Sequence, residues 1–272
     1  MIKYGLCSEI FKEWEWEKTC KYVSKIGYHG IEIAPFVFAE SVTQIDSKKR
    51  KEIKDISKKY NLEITGLHWL LTSPKGLYIT TIDSDLREKT KNYFFELIKF
   101  CSDLGGRIMV IGSPKQRNIP EDMTYEEAWK ISKDFFNDCS KIAKKESVYL
   151  CLEPLPIDET NIFTTVEEVV KFVKEINHPN FKMIVDVKSM SAEGKPISAL
   201  IKSAKDFVLH IHANDSNRRG PGFGNTDFIP IAKALKDINY NGYLSVEVFD
   251  FTPNPETIAE KSLEYLKSIW KK

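Results

Sequence analysis

Four polar residues in the second half of the chain have types and a spacing suited to binding one metal ion. They are Glu153, Asp186, His212 and Glu247, and each stands at the end of a short apolar run. Steps of 33, 26 and 35 residues separate them, close to the length of one strand–helix unit. Because three neighbouring carboxylates repel one another, a divalent cation is the simplest remedy. Three oxygens and one imidazole nitrogen suit Mn²⁺, our prediction, or Mg²⁺ or Co²⁺, and suit zinc less well.

Eight strand-like runs would carry these residues. The predicted runs are Ile2–Leu6, Gly30–Ile33, Leu62–Leu67, Arg107–Ile111, Val148–Leu152, Phe181–Val185, Phe207–Ile211 and Tyr243–Val246. Most are continuously apolar, which is typical of a parallel sheet covered on both faces. Eight units in 272 residues average 34 residues each, which favours one (β/α)₈ barrel over residues 1–272. The active site of such a barrel lies at the C-terminal ends of its strands.

Helical patterns fill the segments between the runs. Apolar residues recur at helical spacing from Phe94 to Leu104, and Gly105 then offers a left-handed end to that helix. A second stripe runs from Val166 to Val173, and Thr165 precedes it as a predicted cap. No linker or low-complexity tract divides the chain, so we predict a single domain.

Composition excludes several classes of protein. Lys and Arg number 40 against 39 Asp and Glu, and this balance argues against a general nucleic-acid binder. No apolar run approaches the roughly 18 residues of a membrane span, and the N-terminus does not read as a signal peptide. Five scattered cysteines read as reduced thiols. These features predict a cytoplasmic protein with neither a nucleic-acid nor a membrane partner.

Several motifs together make the chain resemble a known family. They are LEP at Glu153, VDV at Asp186, SVEVF at Glu247, the early stretch GYHGIEIAPF and, as the most specific, HIHANDSNRRGPGFG over residues 210–224. The chain resembles the sugar phosphate isomerase/epimerase family of xylose-isomerase-like barrels, and within it the ketose 3-epimerases of the D-tagatose and D-psicose (allulose) type. The resemblance implies the same four metal ligands, a small sugar or sugar derivative as substrate, and a homodimer or homotetramer.

The resemblance also implies substrate contacts. Arg218 falls on the family's arginine for a substrate oxygen, and Glu159 falls on a glutamate that contacts a substrate hydroxyl. The chain departs from the pattern at Ser189, where the epimerases carry a histidine close to the substrate carbonyl, and Ser189 is the predicted substrate contact at that position.

A ketose 3-epimerase removes the proton on C3 and returns one to the opposite face through an enediolate. Glu153 and Glu247 could flank the substrate as the two bases. A bound divalent cation would stabilise the negative charge that develops on the substrate oxygens.

Other residues near the predicted mouth are candidates for substrate binding. His68 ends strand three and, with Trp69, either walls a sugar pocket or is a structural loop residue. Lys188, Lys115 and Arg117 make the mouth more cationic than a free sugar requires. This charge predicts a phosphate or carboxylate on the substrate, unless these side chains are solvated.

Two further polar residues lie deeper in the predicted strands. Glu32 ends strand two and is either a pocket hydrogen-bonding group or part of a salt bridge in a barrel layer. His210 points to the same side as His212, and either supports the metal site or simply packs.

Alternative functions remain open. An aldose–ketose isomerase, or a lyase or dehydratase on keto-sugars or 3-keto-glycosides, would use the same metal site. An apurinic endonuclease on this barrel needs more histidines than the five present. A non-catalytic sugar-binding barrel need not retain all four ligands.

Overall fold

A computed structural model describes residues 2–271 and shows a closed barrel of eight parallel strands in sequential order. The strands are β1 (Lys3–Cys7), β2 (Gly30–Ile33), β3 (Glu63–Leu67), β4 (Ile108–Ile111), β5 (Tyr149–Leu152), β6 (Phe181–Asp186), β7 (Val208–Ala213) and β8 (Tyr243–Val246). The predicted barrel is confirmed, and the predicted strand bounds are correct to within about two residues.

Helices connect the strands on the outside of the barrel. They are α1 (Trp16–Ile26), α2 (Ser47–Lys59), α3 (Ser84–Leu104), α4 (Tyr125–Lys145), α5 (Val166–Ile176), α6 (Val187–Ser191), α7 (Ile197–Ser203), α8 (Phe228–Asp237) and α9 (Pro255–Trp270). The connection after β6 differs from a single crossover helix, since it holds the two short helices α6 and α7. None of the helices within residues 2–271 is both long and apolar enough to cross a membrane.

The two helices predicted from apolar periodicity are present, with Gly105 and Thr165 as caps at the expected ends. Helix α3 begins ten residues before the predicted stripe. It is capped by Asp83, whose carboxylate accepts hydrogen bonds from two backbone N–H groups of the first turn, and is followed by Gly105 with φ +86°. Helix α5 is capped by Thr165, whose hydroxyl accepts from the N–H of Glu168. Local capping therefore fixes where each helix meets the sheet.

The inside of the barrel is layered. Val110, Cys151 and Ile184 form a small apolar cluster separate from the main core between sheet and helices. Because side chains on a strand alternate, the residues two places further along point the same way. Those positions include Glu153 and Asp186, so a polar layer lies directly above the apolar one.

Candidate metal centre and active-site cavity

The four predicted ligands meet at one point of the barrel mouth. Glu153 follows β5, Asp186 ends β6, His212 lies in β7 and Glu247 follows β8. One ligand atom from each lies within 4.8 Å of the others, and all four side chains are buried. The strand-end rule therefore placed these side chains correctly, while their role as metal ligands remains a prediction.

Hydrogen bonds already occupy both oxygens of Asp186. Its Oδ1 accepts from the backbone N–H of Ser189 at 2.6 Å, and its Oδ2 accepts from the Nδ2 amide of Asn214 at 2.5 Å. Asn214 Oδ1 in turn accepts from the N–H of Lys188 at 2.8 Å. Asp186 is thus held in one orientation, and each of its oxygens retains lone pairs for a cation.

Glu32 on β2 fixes the orientation of the His212 ring. Its two carboxylate oxygens lie 3.0 Å from His212 Nε2 and 2.7 Å from His210 Nε2. Burial raises the pKa of Glu32, but the two imidazoles outweigh burial and hold that pKa well below its usual range. An ionised carboxylate can only accept, so both Nε2 atoms donate to it, and Nδ1 is the atom of His212 that would bind a cation. The salt-bridge interpretation of Glu32 therefore agrees with the structure.

The remaining geometry fits a metal ion. His212 Nδ1 and Glu247 Oε2 lie 3.1 Å apart, and both atoms are buried without a hydrogen-bond partner among residues 2–271. Burial lowers the pKa of His212, yet Glu247 and Glu32 outweigh it and raise that pKa well above normal. A positive charge between His212 Nδ1 and Glu247 Oε2 is therefore stabilised. Either a second proton on the imidazole or a bound cation supplies it. Three carboxylates and one imidazole suit a hard divalent ion such as Mn²⁺.

Glu153 and Glu247 differ from the other two predicted ligands. No group outside the four clustered residues holds either carboxylate in place within residues 2–271, and both side chains line the cavity above the site. Burial, together with the charges of Asp186 and Glu247, raises the pKa of Glu153 well above its usual range. A Cβ at Gly112 would lie 1.9 Å from Glu153 Oε2, so the carboxylate keeps its observed position only because residue 112 has no side chain.

The cavity above the four residues has a volume of about 430 Å³, within the usual range for small-molecule sites. Its wall is formed by His68, Trp69, Val110, Gly112, Pro114, Lys115, Glu153, Leu155, Asp158, Glu159, Lys188, Arg218, Glu247 and Phe249. A larger cavity of about 830 Å³ opens at the opposite end of the barrel, and none of the four predicted ligands lines it. The smaller cavity is therefore the candidate active site, because Glu153 and Glu247 line it.

Most predicted substrate-binding residues line this cavity. Lys188 Nζ lies 2.6 Å from Glu159 Oε1 and 4.8 Å from the ring centre of Phe249. The guanidinium carbon of Arg218 lies 5.4 Å from the centre of the same ring. Lys115 is exposed at the rim. Phe249 therefore receives two cationic side chains on one aromatic ring, a role that the sequence did not indicate.

Ser189 and His68 sit differently from one another. Ser189 is buried and absent from the cavity wall, and its hydroxyl has no hydrogen-bond partner among residues 2–271. His68 lines the cavity beside Trp69, as one of its two interpretations predicts, and its Nε2 lies 2.7 Å from Glu9 Oε2. Glu9 lies shortly after β1, where the strand-end rule applied to the first strands would have found it.

Arg117 corrects an expectation. It does not face the mouth but is buried, with 1% of its surface exposed, and Nη1 donates to the backbone carbonyls of Ile111 and Glu153. Burial lowers the pKa of Arg117 to about 10, against the opposing charge of Glu153, so the side chain remains cationic at neutral pH. The prediction that Arg117 binds an anionic group of the substrate is therefore wrong. The turn at Pro114–Gln116 directs its side chain into the protein interior.

The loop that carries Arg218 is fixed by Asp215. The buried Asp215 carboxylate accepts from the N–H groups of Ser216, Gly224 and Thr226. Arg218 itself has φ +70°, and its carbonyl accepts from two N–H groups that follow β8. Hydrogen bonds thus join residues 212–215 to the glycine-rich stretch 220–224, and the loop between them places Arg218 in the cavity wall.

Comparison with known proteins agrees with this architecture. The model of the family described as xylose isomerase-like TIM barrel matches residues 20–269, and the chain belongs to that family. A D-psicose 3-epimerase from Ruminiclostridium cellulolyticum is 30% identical over 258 residues, covering 91% of this chain and 84% of that protein. A 3-dehydro-D-guloside 4-epimerase from Escherichia coli is 20% identical over 276 residues, covering 98% and 100%.

Solved structures share the fold. A D-psicose 3-epimerase with D-tagatose from Clostridium cellulolyticum superposes with a TM-score of 0.85 at 23% identity, covering 99% of each chain. A 3-keto-D-glucoside 4-epimerase from Escherichia coli gives 0.86 at 19% identity, covering 98% of this chain and 100% of that one. The predicted resemblance and the assignment to enzymes of the isomerase class are confirmed, and metal dependence remains a prediction.

Proposed function

We propose that this protein is a divalent-metal-dependent ketose 3-epimerase acting on a neutral sugar. The observation that carries the proposal is the contrast among the four clustered side chains. Asp186 and His212 are held from behind by hydrogen bonds, whereas Glu153 and Glu247 face the cavity, and among residues 2–271 the only cationic group paired with either of them is the neighbouring ligand His212, 3.1 Å from Glu247. Two such carboxylates can each accept a proton from a carbon between them.

The proposed reaction is the transfer of a proton at C3, beside the C2 ketone. One of Glu153 and Glu247 removes the proton from its face, and the other returns a proton to the opposite face, which inverts C3. The cation held by the four residues would supply positive charge beside the two substrate oxygens on which negative charge develops. Asp186 and His212, already oriented by Asn214 and Glu32, would hold that ion without taking part in proton transfer.

Side chains around the cavity would orient the sugar. Arg218 offers a fixed donor to a substrate oxygen, and the Lys188–Glu159 pair offers both a donor and an acceptor to hydroxyl groups. Trp69 and Phe249, whose ring centres lie 6.0 Å apart, form an apolar wall against the C–H face of the sugar.

The charges argue for a neutral substrate rather than the phosphate or carboxylate that the sequence suggested. Lys188 is neutralised by Glu159, and Arg117 is buried away from the cavity. Asp158 also lines the wall, which therefore holds four carboxylates against the three cations Lys115, Lys188 and Arg218. An anionic group would therefore find no surplus of positive charge beyond the metal ion itself.

The comparisons support the reaction class. The relative that is 30% identical to this chain is named D-psicose 3-epimerase, and one matching structure is described with D-tagatose. We propose Mn²⁺ as the ion, a homodimer or homotetramer as the assembly, and the cytoplasm as the location, as predicted from the sequence and the resemblance.

The test is NMR in D₂O with Mn²⁺-loaded enzyme and a panel of D-psicose, D-fructose, D-tagatose, their phosphates and 3-keto-glycosides. We expect deuterium at C3 of a free ketose, together with formation of its C3 epimer. Deuterium at C1 or C2 alone would instead establish aldose–ketose isomerisation. No exchange with any member of the panel would overturn an enolising function.

A second candidate is epimerisation or elimination on a 3-keto-glycoside at the same site. Ser189, absent from the cavity wall, and the full-length likeness to a 3-keto-D-glucoside 4-epimerase favour it. Exchange next to the ketone of a 3-keto-glycoside, with none in the free ketoses, would select this candidate. Release of the group beta to the ketone would select the lyase.

A further inference from the structure

Arg117 is a buried cation that touches the main chain of a proposed base. Its Nη1 donates to Glu153 O at 2.7 Å and to Ile111 O at 3.2 Å. Its Nε and Nη2 are buried and have no hydrogen-bond partner among residues 2–271. Leaving two buried donors unpaired destabilises the fold. The two hydrogen bonds that Nη1 does make therefore call for an explanation beyond packing.

The two carbonyls mark the point where the β4–β5 pairing ends. Ile111 is the last residue of β4 and pairs with Leu152, and the N–H of Glu153 donates to Ile111 O at 3.1 Å. Beyond this last β4–β5 pair, no backbone N–H of β4 donates to Glu153 O. The guanidinium of Arg117 is the donor to that carbonyl instead. The side chain thus extends the strand pairing by one carbonyl, at the residue whose carboxylate faces the cavity.

The surroundings hold Arg117 in this pose. Its guanidinium carbon lies 5.8 Å from the ring centre of Phe163, which is fully buried. The missing side chain of Gly112 leaves the Glu153 carboxylate its space. The backbone of Glu153 is therefore fixed by one residue and its carboxylate is accommodated by another, both in the segment that follows β4.

We propose that Arg117 is a positioning residue for Glu153, setting the main chain from which this carboxylate reaches both the metal ion and one face of the substrate. The effect on the substrate face rests on the proposed function. The effect on the metal ion rests on the metal centre alone. A lysine in its place keeps a positive charge but loses the planar guanidinium that lies against Phe163 and serves both carbonyls.

The first test is Mn²⁺ affinity, measured by EPR on apo protein without substrate. Arg117→Lys is expected to weaken Mn²⁺ binding about tenfold, as loss of a group that orients a ligand commonly does. Arg50→Lys is the matched control, because Arg50 is also buried and also donates to two backbone carbonyls, on α2 away from the cavity. Its Mn²⁺ affinity is expected to equal that of the wild type.

The second test is deuterium exchange at C3, at saturating Mn²⁺, measured separately in recovered D-psicose and D-fructose. If Glu153 and Glu247 serve opposite faces, each exchanges the C3 hydrogen of one epimer only. Arg117→Lys is then expected to slow exchange into one epimer at least tenfold more than into the other. Arg50→Lys is expected to leave the ratio unchanged.

Each result decides the proposal. Unchanged Mn²⁺ affinity in Arg117→Lys, or equal slowing in both epimers, overturns the positioning role. If the wild type exchanges neither ketose, the proposed function fails and Mn²⁺ affinity alone decides the inference. Should Arg117→Lys fail to fold, Arg117→Gln, which keeps an amide donor and removes the charge, is measured in the same way.

Discussion

The two halves of the barrel mouth do different work. Strands β5 to β8 contribute the four clustered groups, Glu153, Asp186, His212 and Glu247. The first four strands and their loops contribute Glu9, Glu32 and Arg117, which lie outside the cavity wall, and His68, Trp69 and Lys115, which are part of it. One half thus carries the proposed chemistry, while the other holds those groups in place from behind, with hydrogen bonds to His212 and to the backbone of Glu153.

This comparison predicts graded effects. Substitutions in the β5–β8 half should abolish metal binding or proton transfer, because they remove the reacting groups. Substitutions in the β1–β4 half should weaken the same properties without removing them, because they only loosen the geometry, except at Gly112, where a new side chain would displace Glu153 itself.

The largest effect is expected for the two proposed bases. Glu153→Gln and Glu247→Gln should each lower turnover on the order of 10²-fold or more, because an amide cannot accept the C3 proton. Turnover is measured with Mn²⁺ occupancy determined alongside, since both residues are also predicted ligands. Glu96→Gln, exposed on α3, is the matched control. Near-normal turnover in a fully loaded variant would exclude that glutamate as a base.

A comparable loss is expected from crowding Glu153 from the β4 side. In Gly112→Ala the new Cβ would lie 1.9 Å from Glu153 Oε2, so the carboxylate must move. A misplacement on the order of 1 Å can cost about 10²-fold in rate. Steady-state kinetics at saturating Mn²⁺ check this, and turnover equal to the wild type would show that the carboxylate position is not critical. Thermal unfolding of the same sample separates this effect from loss of fold.

A smaller effect is expected at Glu32. Glu32→Gln keeps the shape of the side chain but no longer fixes both histidines as donors, so Mn²⁺ affinity should fall by about 10- to 100-fold. EPR titration of apo protein measures it. Glu63→Gln, which alters an exposed ion pair with Lys3 at the other end of the barrel, should bind Mn²⁺ like the wild type. Equal affinity in both variants would contradict a supporting role for the β2 carboxylate.

The smallest effect is expected at the rim. Lys115→Ala should change kcat/KM for a free ketose less than about twofold, since an exposed lysine contributes little to a neutral ligand. The same kinetics on the ketose phosphate test the charge argument. A strong preference for the phosphate that disappears in Lys115→Ala would restore the anionic substrate that the sequence suggested.

The same comparison explains what the sequence could and could not reveal. The four predicted ligands of the β5–β8 half were predictable because each stands at the end of its own strand. The alternation of side chains along a strand fixes which way each one points. Glu32 and His212, by contrast, are 180 residues apart and meet only when the barrel closes. Sequence patterns therefore left Glu32 with two interpretations.

Side-chain direction in loops was the least predictable feature. Lys115 and Arg117 stand two residues apart in one turn, yet one is exposed at the rim and the other is buried beneath Glu153. Asn214 was overlooked although it lies only two residues after His212, because its role depends on the position of Asp186 on the neighbouring strand. Pairings between strands decide such roles, and a single sequence does not display them.

The central claim is that Glu153, Asp186, His212 and Glu247 hold one divalent ion. Elemental analysis of protein purified with Mn²⁺ and passed through a desalting column tests it most directly. We predict one Mn²⁺ per chain in the wild type and in His29→Ala, whose ring accepts from the backbone of Tyr4 far from the mouth, and nearly none in His212→Ala. Unchanged metal content in folded His212→Ala would contradict the assignment.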